Sequence, residues 1–170
     1  MRADHDFYLG RLYPMQDRIL ARLAPIETGF YLTGGTAASR AYLHHRFSDD
    51  LDLLVNDDDR FVRLTVTEAD IVLKIEMVYD VPAHGGELKR DSVLGPLDSA
   101  ENILANKLTA AVDREEPRDL ADIWGFCCQL NVSCEAALEG VQSTAVSARP
   151  RAPVRWGTDE PWRISRSPSR

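Results

Sequence analysis

Phe30-Tyr31-Leu32-Thr33-Gly34-Gly35-Thr36-Ala37 and, one helix-like run later, Asp50-Leu51-Asp52-Leu53-Leu54-Val55 decide how this chain is read. The first stretch is rich in strand formers and stops abruptly at a glycine pair. Thr36 to His45 then holds alanines, Leu43 and no breaker, the composition of a helix. Residues 50–55 predict a second strand, closed by the polar turn Asn56-Asp57-Asp58-Asp59. The order is strand, glycine pair, helix, acidic strand. Glycines at a strand-to-helix turn let backbone N–H groups approach an anion closely, and the helix start adds partial positive charge. Gly34 and Gly35 therefore suit a phosphate, with Thr36 as an added hydroxyl donor. Asp50 and Asp52, at i and i+2, point to one side of a strand. Their repulsion is costly unless a divalent cation sits between them. Mg2+ favours one or two carboxylates plus substrate phosphates, the clamp that phosphoryl transfer uses.

Further along, residues 61–66 predict a short strand and residues 70–80 the longest one. Ile71, Leu73, Ile75, Met77 and Tyr79 share one face of the long strand; Val72, Lys74, Glu76, Val78 and Asp80 share the other. Glu76 is thereby a candidate third carboxylate, and Lys74 a charge to offset phosphate. Toward the N-terminus, residues 6–13 predict a short helix. Met15, Ile19, Leu20 and Leu23 then recur at helical spacing behind Pro14. Asp98-Ser99-Ala100-Glu101 reads as a capping box with Asp98 at the cap, opening a helix that runs to about Arg114. Its apolar stripe is Ile103, Leu104, Leu108 and Ala111, and Lys107 lies inside that stripe. A lysine there either snorkels to water or meets an anion. Glu116-Pro117 opens another helix with Leu120, Ile123, Trp124 and Cys127 as its expected buried face. Asp119, on the flank of that face, is a partner for Lys107, a base, or a first-turn acid favoured by the helix dipole. Singly, each piece has a plainer reading: a turn, a solvated strand end, a lysine stem at a domain edge. Taken in order, they favour a site.

Net charge is −7, which excludes a generally basic, nucleic-acid-coating protein. No apolar run approaches the roughly 18 residues of a membrane span, and the first residues, with Asp4 and Asp6, do not read as a secretory leader. Three clustered cysteines, Cys127, Cys128 and Cys134, point to reduced thiols and a cytoplasmic setting. They lack the second paired half of a zinc site. Residues 149–170 hold six arginines and four prolines without apolar periodicity, the composition of a disordered tail.

Leu12-Tyr13-Pro14-Met15-Gln16-Asp17, Tyr31 to Ala37 and Tyr42-Leu43-His44-His45-Arg46-Phe47-Ser48-Asp49-Asp50-Leu51-Asp52-Leu53 together resemble the nucleotidyl transferase family of AbiEii/AbiGii toxins. Asn106-Lys107-Leu108-Thr109-Ala110 and Pro117-Arg118-Asp119-Leu120-Ala121-Asp122-Ile123 match its second half. The resemblance implies an α/β nucleotidyltransferase fold of the DNA polymerase β type, with a small mixed sheet and a helical C-terminal part. On that reading residues 1–95 form the core, 96–148 the helical part of the same domain, and 149–170 the tail. It further implies a toxin of a toxin–antitoxin or abortive-infection system. Its partner is a separate antitoxin, its substrate an NTP, its cofactor Mg2+, and its acceptor, in some relatives, tRNA. Carried over, Gly34, Gly35 and Thr36 hold the triphosphate, with Ser48 and Lys74 in the nucleotide-binding set. Asp50 and Asp52 hold the metal, and Lys107 and Asp119 complete the distal side. Glu76 comes from strand geometry more than from a family motif. Two departures stand out: the segment before Phe61 is short of a helix that relatives place there, and the part after residue 130 is short. The expected activity is nucleotide transfer to an acceptor. The alternatives are a catalytically inactive, shortened homologue that binds nucleotide or antitoxin, and transfer to a small molecule.

Overall fold

The computed structural model describes residues 2–26, 29–55, 62–79, 86–144 and 163–166. Arg2–Phe7, Tyr8–Leu12 and Tyr13–Leu23 follow one another in helical dihedrals and form one rod, α1, with π-type bonding in the middle piece. Pro14 lies inside this rod, just after the π-type piece, where a helix-interior proline lacks the N–H for the preceding turn. β1 (Tyr31–Thr33) leads straight into α2, made of Gly34–Ala37 and the π-type Ala38–Leu43. His44, in the left-handed region at φ 51°, ends it. β2 (Leu51–Val55), β3 (Val62–Glu68) and β4 (Ile71–Tyr79) follow.

Two strands were not expected: β5 (Lys89–Asp91) and β6 (Gly95–Leu97). β6 pairs in parallel with β1 through Leu32 and Leu97, so the expected boundary at residues 95/96 falls inside a strand of the sheet. The chain then forms α3 (Ala100–Asp113), α4 (Pro117–Trp124 continued by the π-type Gly125–Gln129) and α5 (Cys134–Thr144). The cap of α3 is Ser99, which accepts from the Asn102 N–H, and not Asp98. The sheet runs β5-β6-β1-β2-β4-β3-β7, mixed in direction. Its last edge, β7 (Arg163–Arg166), pairs with β3 and comes from the tail expected to be disordered. Residues 145–162 and 167–170 of that tail lie outside the described residues.

The alternation in β4 holds: Ile71, Leu73, Ile75 and Met77 are buried, while Val72 and Lys74 face out. These apolar residues share one core with Leu12, Met15, Ile19 and Leu20 of α1, Leu51 and Leu53 of β2, and Ile103, Leu104 and Phe126 of the later helices. Arg18 bonds both oxygens of Glu68 at 2.6 and 2.7 Å, and Arg11 bonds Asp70, tying α1 to the β3–β4 hairpin. The acidic face of β2 and β4 is the opposite one.

Candidate active site

The turn between β1 and α2 needs glycine twice at one residue. Gly34 has φ +65°, and a Cβ there would lie 2.2 Å from Asp52 Oδ2. The missing side chain is the space that the Asp52 carboxylate fills. At Gly35 a Cβ would meet Arg46 Nη2 at 2.9 Å and Ser48 Oγ at 3.1 Å, and the Gly35 N–H donates to the Asp52 carboxylate. Thr36 is fully buried. Its hydroxyl donates to the Asp50 carbonyl and lies 3.0 Å from Ser48 Oγ. The hydroxyl expected to meet a ligand is therefore taken up inside the fold, where Thr36 and Ser48 fasten the glycine turn to the entry of β2.

Asp50 immediately precedes β2, and Asp52 within it is the register partner of Glu76 across the parallel β2–β4 pair. Burial pushes Asp52 up to about 6, and the charges of Glu76 and Asp50 add to the effect. Lys107 and the Gly35 N–H oppose it. Asp50 is raised as well, again first by burial, with Lys74 acting against it. Glu76 is turned otherwise than expected: its carboxylate accepts from Arg63 Nε at 2.8 Å. Among the described residues no three His, Cys, Asp or Glu side chains form a group that could hold a metal ion, although Glu76 is near enough for its charge to act on both aspartates. Two oxygen-donor carboxylates that repel one another, beside a turn with no Cβ, do fit Mg2+ together with substrate phosphates. Lys74 is exposed on the same face.

Lys107 meets acids. It is 8% exposed, and its Nζ lies 2.6 Å from Asp119 Oδ1 and 2.9 Å from Asp122 Oδ2. Arg114 holds the other oxygen of Asp119 at 2.9 Å. Arg46 grips Asp122 with two bonds of 2.9 and 2.7 Å, and His45 Nε2 adds a third contact at 2.9 Å. Burial alone would raise both acids, but the bonds and charges of these cations outweigh it and hold Asp119 and Asp122 below their ordinary range. Lys107, Asp119, Asp122 and Arg46 thus form one buried network, and Arg46 runs from it to the back of Gly35.

This network corrects the reading of α4. Leu120 and Trp124, expected inside, are each 58% exposed, whereas Asp119 and Asp122 are fully buried. Asp122, Arg46 and His45 were given no role from sequence. The available signal was two acids at i and i+3 on a helix whose neighbour carries a lysine in its apolar stripe.

The segment 44–50 is clamped from α1. Gln16, fully buried, donates to the carbonyls of Ser48 (3.3 Å) and Asp49 (3.0 Å), and accepts from Arg40 at 3.0 Å. Tyr8 donates to Asp49 at 2.6 Å and stacks on Phe47 at 4.3 Å. A cleft beside this clamp, lined by Tyr13, Arg40, His44, Arg46 and Phe47 among others, includes none of the carboxylates Asp50, Asp52 or Glu76.

Comparison with known proteins agrees with the motif reading. The family model "Nucleotidyl transferase AbiEii toxin, Type IV TA system" matches residues 18–77, which include the glycine pair and both aspartates; the run 106–123 lies beyond the matched range. The chain is similar to the solution structure of the antibiotic-resistance factor ANT(2'')-Ia. The TM-score is 0.53 at 14% identity, over 79% of this chain and 91% of that one. A crystal structure from H. pylori, assigned as a nucleotidyltransferase, matches with TM-score 0.45 and 17% identity, over 77% of this chain and 92% of that one. No curated protein matches the sequence. The α/β nucleotidyltransferase fold expected from the motifs is borne out by the ANT(2'')-Ia likeness and by the mixed sheet. Among the described residues no helix is long and apolar enough to cross a membrane.

Proposed function

We propose that this chain, whose residues 18–77 match the nucleotidyl transferase AbiEii toxin family, is a toxin that transfers a nucleotide from an NTP to an acceptor in the presence of Mg2+. The observation that carries the reading is that Asp52 of β2 fills the space that Gly34 leaves, with Asp50, just before the strand, close enough for its charge to raise Asp52. In the reaction an acceptor hydroxyl oxygen bonds the α-phosphorus, the bond to the bridging oxygen breaks, and pyrophosphate leaves. Asp50 and Asp52 would hold Mg2+. When bound, Mg2+ offsets phosphate charge and activates the attacking hydroxyl.

The chain's own residues supply the rest. The N–H groups at Gly34-Gly35 face the triphosphate at the start of α2. The Gly35 N–H, which donates to the Asp52 carboxylate here, would be available to a phosphate oxygen when Asp52 holds a cation instead. Lys74, exposed on the acidic face, offsets phosphate charge at the rim. Glu76 adds a third negative charge beside the aspartates, and Arg63, bonded to its carboxylate, tempers it. Thr36 and Ser48 act on the nucleotide through the turn they fasten. Lys107 and Asp119 complete the distal side as positioning residues: with Asp122 and Arg46 they hold Gly35 from behind. tRNA is the acceptor class that the resemblance favours, a cognate antitoxin is the partner, and the cytoplasm is where such substrates are met.

The test is incorporation of label from each α-labelled NTP into total RNA by the purified chain. Expected is Mg2+-dependent incorporation that a chelator, Asp50→Ala or Asp52→Ala abolishes. Mg2+–NTP binding seen as thermal stabilisation, with no incorporation into RNA or small-molecule acceptors, would overturn the enzyme reading in favour of a nucleotide-binding module.

A further inference from the structure

Outside the nucleotide site, three thiols sit together where α4 turns back into α5. The turn is tightly specified. Leu130 and Val132 donate to the carbonyls of Gly125 (3.2 Å) and Phe126 (3.0 Å), and Asn131 takes the left-handed conformation at φ 55°. Ser133 receives the Ala136 N–H at 3.2 Å and so caps the start of α5. The outcome is that Cys134, the first residue of α5, is brought back against Cys127 near the end of α4, with the two sulfurs 2.7 Å apart. Both side chains are half-buried, whereas Cys128 is exposed and its sulfur takes no part in the contact.

We propose that Cys127 and Cys134 are a reversible redox pair, joined on oxidation by a disulfide that tethers α5 to α4. A disulfide needs its sulfurs at about 2.05 Å, so closure takes a small movement within a turn that already holds them in contact. Burial first, then the hydrogen bond with Cys134, push Cys127 up to about 11, and either sulfur can donate in the contact between them. With a hydroperoxide as oxidant, one of the two sulfurs takes the terminal peroxide oxygen and becomes a sulfenic acid, and its thiol proton passes to the alkoxide or hydroxide fragment that leaves. The other sulfur then bonds the sulfenic sulfur, its proton joins the departing hydroxyl, and water leaves. One peroxide is reduced and two thiols are oxidised.

The experiment uses the full chain, reduced, freed of reductant, treated with hydrogen peroxide and then alkylated. Expected are a mass loss of two hydrogen atoms, protection of two of the three thiols, and recovery of all three with dithiothreitol. Cys128→Ser should lose both remaining thiols to one intramolecular bond. Cys134→Ser should form no intramolecular bond, although Cys127 and Cys128 are adjacent. A bond involving Cys128, disulfides only between chains, or oxidation of Cys128 with Cys127 and Cys134 still open to alkylation would overturn the proposal.

Discussion

Replacing Asp52 with Asn should make the protein more stable at neutral pH, and the size of the gain follows from the site. The Asp52 carboxyl stands at about 6 against an ordinary 3.8, because burial and the charges of Glu76 and Asp50 disfavour its ionised form. An acid raised on folding binds its proton more tightly in the folded than in the unfolded chain. Stability therefore falls as pH rises from about 4 to about 6 and stays low above that. At about 1.36 kcal/mol for each pH unit of difference, ionising Asp52 inside the fold costs about 3 kcal/mol at pH near 7.5 and about 1 kcal/mol at pH near 4.5. Asparagine has nearly the same shape, carries no charge, and can still accept the Gly35 N–H. Thermal melts of both proteins in chelator should thus differ by about 6–12 °C at the higher pH, and by roughly a third of that at the lower. Other titrating groups are common to both proteins and cancel in the difference. A variant that melts below the parent at neutral pH, or a gain that does not shrink on acidification, would refute the account of Asp52 as a charge waiting for a cation.

Other outcomes follow from the same geometry. Gly34→Ala should cost about 1–2 kcal/mol for the left-handed backbone alone, and more for the Cβ aimed at Asp52; a melt equal to the parent's would contradict it. Lys107→Met should take one cation from both Asp119 and Asp122, leaving Arg114 on the first and Arg46 on the second, and destabilise by about 1.5–3 kcal/mol, measured by denaturant unfolding. An equal or higher stability would instead point to an ammonium meant for phosphate. Gln16→Ala leaves the carbonyls of Ser48 and Asp49 without their donor and should cost about 1–3 kcal/mol for each unsatisfied group, read from the same unfolding curves. The Mg2+ concentration needed for thermal stabilisation should rise as pH falls through about 6, because protons then compete for Asp52; a midpoint independent of pH between 5 and 8 would count against it.

What could be read from the chain alone was whatever rests on short-range chemistry. The strand–Gly-Gly–helix order and the alternation of β4 follow from local propensity and a two-residue period, which neighbours in sequence suffice to express. Lys107 stood out for the same reason, as a charge on an apolar stripe. Its meaning was decided by residues distant in sequence. Asp119 and Asp122 turn inward, and Leu120 and Trp124 outward, because two buried acids satisfied by Lys107, Arg46 and Arg114 settle the helix rotation. Hydrophobic periodicity is blind to a buried face made of paired charges. Glu76 was placed on the correct face but its direction was not legible, since Arg63 reaches it across the β3–β4 register. Thr36 likewise read as a ligand donor until the carbonyl of Asp50 was brought beside it. β6 escaped notice because a three-residue strand containing glycine and proline has almost no propensity signal; it exists through its pairing with β1 and β5. Local sequence determined which residue types the site contains, and only the folding of remote segments against one another decided which of them face a substrate and which hold the others in place.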